Sequence, residues 1–217
     1  MSDLQKLLTW LSPAFPVGAF AWSAGLEAAI VKGVVTDRAT TQQWVEGILA
    51  HGGLRTDAIL FAHAHRGSGD ATTLQELADL CLALTPARER HDETTITGDA
   101  FATAAKAWPS PVLDILPRPC PYPIAIGAIA ASHGIDLQAA LTAYLTATVH
   151  AQVSVAVRLI PIGQSDGLAI VAALERPISE MAVLCQHATL DDIGSIAYAA
   201  DIAQMAHETL TTRIFRS

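Results

Sequence analysis

The sequence predicts an all-α protein, a single-domain bundle of about 8–10 helices around a buried central hydrophobic helix at about residues 137–158. Three observations predict it. Between Arg118 and Arg158 the only formally charged side chain is Asp136, and Leu137, Leu141 and Leu145 recur there at helical spacing. Apolar stripes of helical period outnumber alternating strand patterns in the rest of the chain. Finally, Asp and Thr caps, glycines and prolines fall where helices would start and stop. A chain of 217 residues can bury one sizeable core, so residues 1–217 read as one domain.

In chain order, Leu4, Leu7, Leu8 and Leu11 mark one face of a short helix. Two prolines and a glycine in Ser12–Phe20 end it in a rigid connector. Phe15, Val17 and Phe20 on that connector read as core plugs. Ala21 to Val31 reads as a second helix. Thr36-Asp37 caps a third, closed by Gly52-Gly53, and Arg55 to Arg66 continues as a fourth. Thr73 to Glu76 has the spacing of a capping box and opens a helix through Leu84. Pro86 sits where the next helix can start. The cluster Arg88 to Thr94 then reads either as a solvated helix face with i,i+4 pairing or as a contact site.

Residues 109–123 form a proline-rich connector before an apolar hairpin. The second arm of that hairpin is the central helix, although Val153 to Ile160 alternates with period two and also fits a short strand. Asp166-Gly167 signals a turn after it. Helices through Ile170 and Leu174, from Ser179 to His187, and from about Ala199 to Thr212 complete the chain.

Composition excludes several functions. Net charge is −8 and only three of 13 basic residues are lysines, which argues against nucleic-acid binding. Hydrophobic content of 51% against 16% charged residues points to apolar surface covered by a partner. Cys81, Cys120 and Cys185 are widely spaced and form no CxxC, and the N-terminus has no signal-peptide core. A cytoplasmic protein is expected. His63 and His65 at i,i+2 cannot share a metal on a helix, and no phosphate-binding GxxxxGK[ST] occurs. Two alternatives stay open: a serine hydrolase using Ser23, in a stretch one residue short of GxSxG, and a membrane-associated helical hairpin built on 124–158. Arg213, Phe215 and Arg216 crowd the last five residues with interface-type side chains.

Four stretches then resemble one family. Leu11–Glu27 (LSPAFPVGAFAWSAGLE) is similar to the N-terminal signature of the urease accessory protein UreF family. Ile160–Gly167 (IPIGQSDG) and Ala206–Ser217 (AHETLTTRIFRS) are similar to its turn and its ending. Arg88-Glu-Arg-His with Glu93, Thr94 and Gly98 resembles its central charged motif.

The resemblance implies a non-enzymatic, all-helical scaffold. It would bind a second accessory protein, UreD (also called UreH), and recruit the GTPase UreG, so that nickel reaches apo-urease. A homodimer in that complex is implied. No cofactor would be bound firmly, since nickel and GTP belong to the partner complex. The implied partner-binding residues are Pro16, Gly18, Phe20, Ser23, Gly25 and Glu27 near the start and Arg90 and Glu93 in the middle. His207, Glu208, Thr209, Arg213, Phe215, Arg216 and Ser217 are those of the tail at about 206–217. Ala19 and Ala206 depart from the family pattern, which has glycine and arginine there. The tail is expected to be mobile until a partner orders it, and Arg213 or Arg216 could reach the GTPase as an arginine finger.

Overall fold

Ten α-helices make up the described residues, 2–217, of the computed structural model, with no β-strand among them. They are α1 Asp3–Trp10, α2 Leu26–Val31, α3 Arg38–His51, α4 Gly53–Arg66 and α5 Ala71–Ala83. After these come α6 Arg88–Ala104, α7 Tyr122–Ser132, α8 Leu137–Leu159, α9 Gln164–His187 and α10 Tyr198–His207. One-turn 3₁₀ segments sit at Ala19–Ala21, Ala105–Ala107, Pro111–Asp114 and Leu190–Asp192.

Side-chain caps set the starts of several helices. Asp37 accepts the Thr40 N–H at 2.8 Å and Asp136 that of Ala139 at 2.9 Å. Helix α5 begins three residues before the expected capping box, because Asp70 accepts the N–H groups of Thr72 and Thr73. A carboxylate facing two orphan amides is a better cap than the Thr73 hydroxyl, which itself donates to Asp70.

The helix enclosed on all sides is α7. Pro123 through Ala130 are all buried, against α4, whose residues Ala58–Ala62 have no exposed surface. Gly127 permits this contact, since a Cβ there would lie 2.5 Å from the Phe61 carbonyl oxygen. Helix α8 forms a wall rather than the axis. It buries Leu141, Tyr144, Leu145, Val149 and Val153, while much of its Thr/Ala face is only half-covered. The strand reading of 153–160 fails: the segment is helical to Leu159.

Three boundaries differ from expectation. Residues 22–25 are not helical, so α2 is only Leu26–Val31. Asp166-Gly167 lies inside the first turn of α9, where Asp166 reaches back toward the Gly163 N–H at 3.4 Å. And the two helices expected between Ile170 and His187 are one, continuing through Pro177. Ile170, Leu174, Ile178, Ala182 and Cys185 form one buried stripe across that proline. Burying each large side chain contributes roughly 1.5–3 kcal/mol, which outweighs the ~3 kcal/mol cost of one internal proline. Pro177→Ala is expected to stabilise the protein by about 1–3 kcal/mol, read as a higher denaturant midpoint. An unchanged or lower midpoint would show that the proline is unstrained here.

The proline-rich connector is pinned rather than loose. The Cys120 N–H donates to Asp99 at 3.0 Å and the Tyr122 N–H to Thr94 Oγ1 at 3.2 Å, both on α6. Phe15 and Val17 are core plugs, as expected, but Phe20 is 65% exposed. Its ring lies under the Arg158 guanidinium, 3.9 Å away. A second, smaller apolar cluster gathers Leu26, Ala29, Val35, Val155, Ala203 and Phe215, and so joins α2, α8 and α10 to the last residues of the chain.

Candidate functional site

The two stretches that look most like motifs, Leu11–Glu27 and Ala206–Ser217, meet in space. Residues 22–25 leave helical geometry through a turn in which Gly25 has φ +82°, a conformation costly for any residue with a Cβ. A side chain at Gly25 would also collide with the α10 backbone, 2.6 Å from the Gln204 N. That turn starts α2 with Glu27 aimed at the underside of α10.

Helix α10 stops at His207, earlier than expected: the chain makes one further turn, with the Thr209 and Leu210 N–H groups donating to the Ala206 and His207 carbonyls, and from Arg213 on it bonds to other segments. Glu27 accepts the N–H groups of Ile214 at 2.7 Å and Phe215 at 2.9 Å. The Arg216 N–H donates to the Ala21 carbonyl at 2.8 Å and the Ser23 N–H to the Ser217 carbonyl at 2.9 Å. The Ser23 hydroxyl also donates to that carbonyl, and the Ser217 hydroxyl accepts the Ala24 N–H at 3.1 Å. Gln152 on α8 donates to the Ser23 carbonyl at 3.1 Å. The tail expected to be mobile is therefore seated in the uncomplexed chain. Phe215 is 2% and Ser217 3% exposed.

Charges gather beneath this seam. His207, fully buried, lies 3.0 Å from Glu27 and 2.7 Å from Glu89. Arg213 pairs with the other oxygen of Glu89. Burial opposes the charged form of Glu27, but the Ile214 amide, His207 and the Phe215 amide outweigh it and hold the carboxyl below its ordinary range. Deeper on α6, Arg90 pairs with Asp57 at 2.5 Å and lies 3.4 Å from Glu93 without an aligned hydrogen bond. Burial pushes the Asp57 and Glu93 carboxyls up, against the pull of Arg90. Most of the Arg88–Thr94 cluster is thus no solvated helix face. Its main pairs, Arg90 to Asp57 and Glu89 to His207 and Arg213, join distant segments, whereas Arg90–Glu93 and the more exposed His91–Asp92 lie within the helix.

The residues expected to contact partners fall into two groups. Ser23, Gly25, Glu27, His207, Phe215 and Ser217 are buried, and Arg90 and Glu93 are mostly so. Pro16, Gly18, Phe20, Thr209, Arg213 and Arg216 are exposed, and Glu208 is half-exposed with its carboxylate accepting the Arg88 N–H at 2.7 Å. The buried group shapes the seam; of the exposed group, Arg213 and Arg216 belong to the tail itself, whereas Pro16 stands beside Asp99 and Thr103 on α6. Arg213 is committed to Glu89 and Arg216 stacks on Trp22 at 4.6 Å. Ala19 fits without strain, because the left-handed position of that turn is Gly18.

Sequence reasoning did not single out Glu89, Asp57 or Arg158. Glu89 sat inside a cluster whose pattern also fits a solvated face, and nothing local shows that α10 covers it. It also missed the outer face of α10. Tyr198, Ile202 and Met205, one helical stripe, are 67%, 58% and 51% exposed, near the exposed Val31 and Val34 at the end of α2. That stripe was visible as an i, i+4, i+7 repeat.

The hydrolase reading fails on geometry. Ser23 has no exposed surface and follows no strand, and its hydroxyl is spent on the Ser217 carbonyl. Both nitrogens of the nearby His207 are taken by carboxylates, so neither can accept a serine proton. The hairpin reading fails on packing. Helix α8 alone among the described residues is long and apolar enough to cross a membrane, but its partner α7 is enclosed by α4 and α6 and has no side for lipid. Cys81, Cys120 and Cys185 are free and buried, and burial raises each thiol, Cys120 to about 12 and Cys185 to about 11. Among the described residues no three His, Cys, Asp or Glu side chains are grouped to hold a metal ion.

Comparison with known proteins agrees with the motifs. A family profile described as UreF matches residues 35–175. A urease accessory protein UreF from Agrobacterium fabrum is 52% identical over 217 residues, covering 100% of this chain and 97% of that protein. Proteins of the same name from Rhizobium johnstonii and Rhizobium etli are 48% and 47% identical, again over 100% of this chain and 97% of theirs. The profile stops short of both motifs at the seam, whereas these relatives align through both.

Proposed function

The chain belongs to the UreF family of urease accessory proteins, and from that premise we propose that it serves urease maturation as a scaffold whose docking surface is the seam under and around α10. The family is an accessory one rather than a family of enzymes. In this reading a UreD(UreH)-like protein binds this chain and the pair recruits a UreG-like GTPase, so that nickel is inserted into apo-urease. Nickel and GTP are held by those partners and this chain keeps no cofactor of its own. The assembly works in the cytoplasm, and two copies of this chain pair within it.

One observation supports this surface above others. The α10 stripe of Tyr198, Ile202 and Met205 is exposed on the helix that leads directly into the tail, whose Arg213 and Arg216 are exposed as well. Large exposed apolar side chains rimmed by arginine are the composition of interface hot spots. The buried residues of the tail act indirectly, by fixing the shape that α10 presents.

The test is capture by tagged UreD-like and UreG-like partners. Ile202→Asp with Met205→Asp is expected to abolish capture while the free chain keeps its helical content and unfolding midpoint. Leu168→Asp, at a 65% exposed residue on α9, serves as the control that leaves capture intact. Full capture by the α10 double variant would move the docking surface elsewhere.

A further inference from the structure

We draw no further inference here: the strongest candidate, the cavity of about 90 Å³ enclosed by α4, α5, α6 and α10 and lined by Asp57, Cys81, Arg90 and Gln204, belongs to the seam already described, and nothing in the structure shows what fills it.

Discussion

Glu27→Ala is expected to weaken the seating of residues 208–217 by about 3–5 kcal/mol, the cost of removing one partner from a buried charged pair. Glu27 is 4% exposed and is the acceptor for three donors: His207, the Ile214 amide and the Phe215 amide. Alanine leaves all three without an acceptor where solvent does not reach. The chain recovers part of that loss by letting go, because a released segment finds its acceptors in water. Cleavage between Glu208 and Ser217 by a dilute protease should therefore rise steeply, and the unfolding midpoint should fall as Phe215 leaves its apolar cluster. Glu27→Gln, which keeps one acceptor oxygen, should lie between. Resistance to protease equal to that of the unsubstituted chain would show that the tail is held by Phe215 packing alone.

The pH sign follows from the direction of the shift. The Glu27 carboxyl sits below its ordinary range in the folded protein. Its contribution to stability is thus fully present above the ordinary glutamate value of about 4.3 and is lost as pH falls through the folded one. Acid should loosen the tail through Glu27.

Gly98→Ala is the second large effect, and it acts on the body rather than on the seam. A Cβ at Gly98 would lie 2.0 Å from the Cys120 carbonyl oxygen and 2.7 Å from backbone atoms of Pro121 and Tyr122. Nothing flexible stands there to move aside. The connector is itself fixed to α6 by Asp99 and Thr94, and it leads directly into α7. Either α6 and α7 separate or both connector hydrogen bonds break. The expected cost is about 3 kcal/mol or more, at the upper end for overpacking, measured by denaturant unfolding. Gly47→Ala, where a Cβ meets nothing within 4 Å, should not destabilise α3. Equal stability of Gly98→Ala and the unsubstituted chain would mean that the connector can shift, and with it the entry into α7.

Much of this architecture was legible because helices announce themselves locally. Asp37 and Asp136 caps, the Leu137–Leu145 stripe and the glycine stop after α3 are short-range signals, and the helices begin and end within a few residues of them. The errors came where a local rule met a longer-range one. Pro177 reads as a break, but the buried stripe on either side of it is continuous. Thr73 has capping-box spacing, but Asp70 is the stronger acceptor. Asp166-Gly167 looks like a turn, but that glycine packs against Val157 and Val153 on α8.

Taken alone, the sequence determined the helical class and the family by its motifs, because each rests on residue types at fixed spacing. Only the tertiary structure decided which charges are buried. Glu27, Glu89 and His207 are separated by 62 and 118 residues along the chain (89 − 27 and 207 − 89), and no local pattern distinguishes them from solvated ones. Their burial depends on α10 crossing α2 and α6. It was likewise the fold that turned the expected loose tail into a seated one, since its amides find their acceptors on residues about 190 positions away.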